Sequence, residues 1–142
     1  MKVALKTGVR GKLLVATERI LKDETILRLP AQFSQERTAH SLQVGPNRHQ
    51  CFTDDLDDYI SHGCGSRANV YVPFPALEYR ALRPIEAGEE CFLDYTTCED
   101  DMSTSFECSC GAPDCYGSVR GWNYLTAEQK RFIGDRKAPY LQ

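Results

Sequence analysis

The chain has 142 residues, of which 42% are hydrophobic and 26% charged, a composition typical of one globular domain with or without a small appendage. A chain of this size buries roughly 68–70% of its unfolded surface, so it can form a core without covalent cross-links. Its formal net charge of −3 argues against direct nucleic-acid binding, and no apolar run approaches the ~20 residues of a membrane span.

The unusual feature of the composition is a set of seven cysteines. A second lysine, Lys6, comes too early for the apolar region of a secretory signal peptide, so we expect an intracellular protein, either cytoplasmic or nuclear. An odd number of cysteines in such a chain does not predict a disulfide framework. The cysteines therefore need another explanation.

Short strands separated by turns dominate the predicted secondary structure. Four stretches carry a strand pattern, namely residues 25–29, 69–72, 77–82 and 90–95. The first half of the chain contains no convincing helix. The clearest helix lies near the C-terminus, where Thr126 and Gln129 form a capping box and Gly134 can end the helix.

Two segments, residues 16–25 and 81–90, have similar sequences. Both contain Ala, three residues, Ile, three residues and Glu, with Asp or Gly immediately before that Glu. Each is followed by strand-like residues, so each is predicted to turn the chain between two short strands. The simplest interpretation is that two connections use the same turn chemistry by chance.

Three cysteines, Cys108, Cys110 and Cys115, fall within one short turn-rich stretch. Gly111 and Pro113 between them provide the sharp turns that can direct the three thiols to one point. Tetrahedral zinc takes four thiolate or imidazole ligands, so this spacing favours a zinc site over buried or redox-active cysteines. The residues alone leave the fourth ligand open among Cys51, Cys64, Cys91, Cys98 and His62.

Four motifs in this order and spacing resemble the SET-domain lysine methyltransferases, over about residues 8–122. They are GKLLVAT at 11–17, DYISHGC at 58–64, AGEECFLDY at 87–95 and CSCGAPDC at 108–115. The resemblance implies a mostly β fold, the SET fold or β-clip, in which small sheets surround a knot-like core and a short C-terminal helix follows. It divides the chain into a SET domain (1–100), a post-SET zinc knuckle (101–122) and a C-terminal helical tail (123–142).

The same resemblance implies how the site is assembled. In this family, the stretch matching 61–64 lies against the stretch matching Asp94 and Tyr95, and Cys64 matches a core cysteine that joins the post-SET cysteines on zinc. The preferred zinc ligands are therefore Cys64, Cys108, Cys110 and Cys115, with Cys98 as the alternative fourth ligand. One structural Zn²⁺ would hold the tail over the active site.

SET enzymes transfer a methyl group from S-adenosylmethionine to a lysine ε-amine. By this resemblance Tyr95 is the catalytic tyrosine, and Leu93 and Tyr71 are assigned to the substrate channel. Because the family commonly has an aromatic residue that limits the methylation number at the position of Leu93, a leucine there predicts di- or trimethylation. The residues expected to bind the cofactor are Gly11, Lys12, Leu13, Ser61, His62, Tyr95, Val119 and Trp122. For Trp122, an adenine cover and a packing anchor remain equal alternatives.

Two positions depart from the family pattern, since Leu13 replaces a glycine and Ser61 replaces an asparagine. The predicted substrate is a lysine-bearing protein or peptide such as a histone tail. The acidic runs at 54–58 and 99–101 would either be solvated loops or attract a basic segment.

One alternative is a catalytically inactive SET module that binds a peptide or protein partner. Another is a small-amine methyltransferase, because the segment between Pro30 and His49 is short. The oligomeric state is not predicted.

Overall fold

Twelve short strands form four small sheets in the computed structural model, which describes residues 1–142. The strands are β1 (Val3–Gly8), β2 (Gly11–Ala16), β3 (Thr25–Arg28), β4 (Phe33–Ser34), β5 (Leu42–Gly45), β6 (Arg48–Gln50), β7 (Ser61–His62), β8 (Val70–Tyr71), β9 (Glu78–Ala81), β10 (Phe92–Leu93), β11 (Phe106–Glu107) and β12 (Ser118–Val119). The single α-helix is α1 (Ala127–Ile133), and no helix has the length and apolar character needed to cross a membrane. The four strands predicted from sequence are confirmed, in shortened form, as β3, β8, β9 and β10.

The central sheet has five strands in the order β3-β9-β8-β10-β7. Of these five strands β10 comes last in the chain, yet it lies between β7 and β8 and is parallel to both. The buried side chain of Asn69 joins these strands, because its Nδ2 donates to the Glu90 carbonyl (2.9 Å) and its Oδ1 accepts from the Phe92 amide (2.7 Å). The insertion of a late strand between two earlier ones gives the knot-like core that the resemblance implied.

Three smaller sheets surround the central one. β1 and β2 form an antiparallel hairpin in which Gly8 lies opposite Gly11, and Gly11 has a φ of +98°, a conformation that favours glycine. β4, β6 and β5 form a three-stranded sheet that includes the stretch where the family resemblance is weakest. β11 and β12 pair antiparallel on either side of the three clustered cysteines.

The two similar segments pair with each other. Ile20 and Ile85 form a backbone bridge, and both lie at 0% exposure in the main hydrophobic core. Hydrogen bonds on both sides of this bridge form two matching pairs, in which each segment donates to the equivalent position of the other. They are Asp23 N to Ala81 O with Gly88 N to Ala16 O, and Ala81 N to Glu24 O with Ala16 N to Glu89 O. The sequence likeness therefore corresponds to two equivalent turns that bind each other across a local two-fold relationship.

The C-terminal tail has its own small core and packs back on the SET-like body. α1 begins at the predicted capping box, in which Thr126 and Gln129 exchange hydrogen bonds of 2.8 and 3.1 Å, and Gly134 ends it. The tail core consists of Trp122, Ile133, Ala138 and Leu141. The Tyr140 hydroxyl lies 2.7 Å from the carbonyls of Gln43 and Cys98, and these bonds tie the tail to the body of the domain.

Candidate active site and metal centre

A cavity of about 270 Å³ lies beside the knot-like core. Leu93 of β10 and Tyr95, which follows β10, form one wall of this cavity. Further lining comes from residues 38–42, which end at the start of β5, and from residues 102–104 and Phe106, at the start of β11. The cavity is therefore enclosed by the central sheet, the three-stranded sheet and the start of the cysteine-rich tail.

Tyr95 is held in place at both ends. Its backbone amide donates to His62 Nδ1 (3.1 Å), and its hydroxyl donates to the carbonyl of Ile60. Burial, and secondarily the charge of Glu90, raises the pKa of the Tyr95 hydroxyl above its usual range. Tyr95 is therefore a fixed, protonated hydrogen-bond donor at the wall of the cavity.

His62 links Tyr95 to the clustered cysteines. While its Nδ1 accepts from the Tyr95 amide, its Nε2 lies 3.1 Å from Cys64 Sγ. The imidazole also packs edge-on against the rings of Tyr95 and Phe106, with centroid distances of 5.0 and 5.6 Å. Burial lowers the pKa of His62, which favours the neutral ring. Both ring nitrogens are thus engaged, so the side chain of His62 is not available to a cofactor. Only the backbone of His62, which forms part of β7, is left for cofactor binding.

The structure brings the thiols of Cys64, Cys108, Cys110 and Cys115 together, with all four Sγ atoms within 4.8 Å of one another. Cys64 Sγ lies 3.7 Å from Cys108 Sγ and 3.9 Å from Cys115 Sγ. Four sulfurs bound at about 2.3 Å around a tetrahedral zinc ion are about 3.8 Å apart, so this arrangement fits such an ion. Cys98, the alternative fourth ligand, instead lies buried in the main core with its Sγ 3.7 Å from Thr97 Oγ1.

The environments of the clustered thiols differ. Burial raises the pKa of Cys64 far above that of a free thiol. At Cys110 burial also opposes ionisation, but hydrogen bonds to the thiolate outweigh it and lower the pKa to about 7. The backbone of Ala112 makes the largest contribution among these hydrogen bonds. A partly ionised thiol beside a deeply buried one is an arrangement that a dication would stabilise, since metal binding replaces the thiol protons.

Glu90 connects the residues expected to bind the cofactor. Its carboxylate forms an ion pair with Arg10 (3.2 Å) at the tip of the β1–β2 hairpin and accepts a hydrogen bond from the Ser61 hydroxyl. The first predicted segment, Gly11 to Leu13, begins β2 at this tip, and Ser61 and His62 form β7. Glu90 therefore lies between the two predicted cofactor segments, although the sequence analysis did not single it out.

Two predicted site residues lie elsewhere. Tyr71 does not line the cavity, because side chains alternate along β8: Val70 faces the core, and the Tyr71 hydroxyl donates to Asp23 (2.8 Å) on the other side. The tyrosine that lines the cavity is Tyr79. Trp122 is only 3% exposed within the tail core, so the structure favours the packing anchor over the adenine cover.

Comparisons with known proteins identify the class of this fold. Residues 11–96, more than half of the chain, match the SET domain family, and the chain belongs to that family. Methyltransferase flvH of Aspergillus flavus is 29% identical over 86 residues, which are 61% of this chain and 48% of that protein. The chain thus spans about half the length of this curated relative.

Two solved structures share the fold at low sequence identity. KRYPTONITE, solved in complex with mCHG DNA and SAH, has a TM-score of 0.67 and 15% identity, covering 82% of this chain and 28% of its own. The methyltransferase domain of human histone-lysine N-methyltransferase SETMAR has a TM-score of 0.62 and 16% identity, covering 82% of this chain and 56% of its own. The fold is therefore the SET fold, as the sequence motifs implied.

Proposed function

We propose that this chain is an S-adenosylmethionine-dependent methyltransferase that acts on a lysine ε-amine of a protein or peptide. One observation carries the proposal: the parallel pairing of β7 and β10 holds the hydroxyl of Tyr95 at the wall of the cavity, next to Leu93. In this position the hydroxyl oxygen, whose proton is donated to the Ile60 carbonyl, can accept a hydrogen bond from an amine that enters the cavity and so orient it. Membership of the SET domain family supports methyl transfer as the reaction.

The reaction needs a neutral amine, and the apolar side chains that line the cavity favour one. A lysine ε-amine has a pKa of about 10.4, so only about one in a thousand is neutral near pH 7.4. Apolar surface from Ile60, Leu93 and Phe106 would desolvate the amine and lower its pKa. The carboxylates of Asp57, Asp58 and Glu99 line the same cavity and would oppose this effect, so the neutral amine also depends on the positive charge of the cofactor sulfonium. Once the amine is neutral, catalysis rests on its alignment, which Tyr95 would provide.

The cofactor supplies the methyl group. We assign its binding to Gly11, Lys12 and Leu13 and to the backbone of Ser61 and His62, as the resemblance implied. At Gly11 a Cβ would meet no atom within 4 Å, so open space remains beside this turn. Glu90 adds a carboxylate between the two segments, and this charge suits the positive charge of a sulfonium. Val119, which pairs with Phe106, remains part of the proposal, whereas Trp122 does not.

We also propose one structural Zn²⁺ on the four clustered cysteines. The spacing of their Sγ atoms supports this assignment. Such an ion would connect Cys64, which follows β7, to the loop between β11 and β12. It would thereby hold Phe106, which lines the cavity, in its place.

The proposed reaction is tested by mass spectrometry with isotope-labelled cofactor and a panel of histones, lysine-rich peptides and free amines. The expected result is transfer to lysine, with di- or trimethylated product because Leu93 leaves more room than an aromatic side chain. A product that stops at monomethyl-lysine would contradict the role of Leu93. Absence of cofactor binding in calorimetry would favour the inactive binding module instead.

A small amine is the second candidate for the methyl acceptor. The volume of the cavity, about 270 Å³, and the short segment before β6 favour this candidate, because both limit the room for a long peptide. The free amines in the panel discriminate the two candidates directly. Transfer to free amines, without transfer to any peptide, would establish the small-amine enzyme.

A further inference from the structure

One tyrosine of the cysteine-rich loop contacts the core of the domain. Tyr116 follows Cys115 in the loop between β11 and β12. Its hydroxyl donates to Asp94 Oδ2 and accepts from the backbone amide of Gly65, at 3.3 Å. Asp94 is 1% exposed and stands between β10 and Tyr95. The loop of the clustered cysteines is therefore joined by one hydrogen bond to the residue that precedes the candidate catalytic tyrosine.

The carboxylate of Asp94 has two sets of partners. Its Oδ1 accepts from the amide (3.1 Å) and the hydroxyl (2.6 Å) of Thr96, which caps the short 3₁₀ turn Tyr95–Thr97. Its Oδ2 accepts from the Tyr116 hydroxyl alone. Because both oxygens of a buried carboxylate need donors, the Tyr116 hydroxyl fixes the rotation of the group that caps this turn.

Tyr116 also packs beside the residue that holds the Tyr95 amide. The ring centroid of Tyr116 lies 6.1 Å from that of His62, and His62 Nδ1 accepts from the Tyr95 amide (3.1 Å). Tyr116 itself does not line the cavity. It therefore contacts the supports of Tyr95 on two sides, but it does not face a methyl acceptor bound in the cavity.

The cysteine-rich loop has a separate attachment to the same region. Asp114 accepts hydrogen bonds from the Ser66 amide (3.0 Å) and the Ser66 hydroxyl (2.8 Å). The approach is close, since a Cβ on Gly65 would lie only 2.3 Å from Asp114 Oδ2. We therefore expect the loop to remain docked without the Tyr116 hydroxyl, whose distinct contribution is the bond to Asp94.

We propose that Tyr116 is a positioning residue for methyl transfer. Its hydroxyl fixes the carboxylate of Asp94 and thereby sets the orientation of the turn that places the Tyr95 hydroxyl at the wall of the cavity. This inference rests on the proposed function, since it assumes that Tyr95 contacts the reacting amine. It makes the cysteine-rich loop a part of the support of Tyr95, in addition to a part of the enclosure of the cavity.

The first test compares Tyr116→Phe with the unchanged protein in methyl transfer from labelled cofactor to the best acceptor of the panel. We expect kcat to fall about tenfold, while KM for the acceptor and Kd for the cofactor change less than about twofold, because alignment is lost and binding is kept. The metal content should stay unchanged, and loss of metal would mean that Tyr116 acts on the cysteine cluster instead.

Ser66→Ala is the matched control for this measurement. It removes another hydroxyl that bonds the cysteine-rich loop to residues 65–67, but it leaves Asp94 untouched, so its kcat should equal that of the unchanged protein. Equal slowing in Ser66→Ala and Tyr116→Phe, or no slowing in Tyr116→Phe, overturns the inference.

The second test asks whether Tyr116 acts through Tyr95. In a Tyr95→Phe background the hydroxyl that needs placement is absent, so the addition of Tyr116→Phe is expected to cause no further slowing. A further loss of about tenfold in the double variant would mean that Tyr116 acts elsewhere, and the inference would be wrong.

The third test does not depend on activity. Hydrogen exchange measured by nuclear magnetic resonance should be about tenfold faster at the amides of Tyr95 and Thr96 in Tyr116→Phe, because their turn loses its fixed cap. The Ile85 amide, which bonds to the Ile20 carbonyl in the main core, should exchange as before. Unchanged exchange at Tyr95 and Thr96 overturns the inference whatever the reaction. Faster exchange there, in a protein that methylates no acceptor, would support the coupling and refute the proposed function alone.

Discussion

Ile20 and Ile85 exchange both of their backbone hydrogen bonds, at 2.8 and 2.9 Å, and their side chains are completely buried. They occupy equivalent positions in the two similar segments, 16–25 and 81–90. The first segment follows the β1–β2 hairpin, and the second leads into β10, which forms the knot. The pairing of the two isoleucines therefore connects the hairpin of the candidate cofactor site to the strand that positions Tyr95.

Ile85→Ala is expected to lower the free energy of unfolding by about 2–5 kcal/mol, because it removes buried methyl groups and leaves a cavity in the main core. Urea denaturation followed by circular dichroism measures this change. Leu21→Ala is the matched control, since Leu21 is 57% exposed and its truncation should cost less than about 0.5 kcal/mol. Equal losses from the two variants would contradict a central role for the isoleucine pair.

Local patterns in the sequence predict those parts of the fold that depend on neighbouring residues. The capping box of Thr126 and Gln129 fixes the start of α1, and the spacing of Cys108, Cys110 and Cys115 predicts that their thiols meet. The sheet of β4, β5 and β6 was not predicted, because several of its buried side chains, Gln43, His49 and Gln50, are polar and therefore give no apolar alternation.

Contacts between distant segments were harder to predict. Asn69, Tyr79 and Glu90 acquire their roles only when the knot brings β7, β8, β9 and β10 together. The Gly-Glu-Glu motif was the one available signal for Glu90. Tyr71 was misplaced because a two-residue strand does not reveal which of its side chains faces inward.

Cys110→Ser is expected to remove a bound metal, whereas Cys51→Ser should retain it, since Cys51 lies outside the cluster. Inductively coupled plasma mass spectrometry of the purified chain should give about one zinc per molecule for the unchanged protein, as four ligands complete one tetrahedral site. Chelation should also increase proteolysis within residues 101–121, because that segment would lose its attachment to Cys64. Loss of zinc from folded Cys98→Ala, with retention in Cys64→Ala, would restore the alternative ligand set.

Tyr95→Phe is expected to slow methyl transfer by about 100-fold or more, because it removes the fixed hydroxyl oxygen that would accept a hydrogen bond from the reacting amine. The loss of the bond to the Ile60 carbonyl should cost only about 0.5–1.5 kcal/mol of stability, so the variant should remain folded. Tyr71→Phe provides the control, as it removes a hydroxyl that contacts Asp23 outside the cavity. Rates measured with labelled cofactor should be unchanged in this control. Slowing of the same size in both variants would argue against a specific role for Tyr95.

The buried carboxylate of Asp57 should reduce stability at neutral pH. Burial, followed by the charge of Asp58, raises its pKa from 3.8 to about 6, so the folded protein binds this proton more tightly than the unfolded chain does. Stability associated with the protonated group is therefore present below about pH 4 and is lost as the pH rises through 6.

Asp57→Asn, which cannot ionise, should consequently be more stable than the unchanged protein at pH 7, by about 1–3 kcal/mol, and this difference should shrink towards zero below pH 4. Chemical denaturation across pH 4 to 8 measures the dependence, with Asp135→Asn, which removes the same charge from an exposed site, as the control that should follow the unchanged protein. Destabilisation by Asp57→Asn at pH 7 would instead mean that the carboxylate has a structural partner within the folded chain.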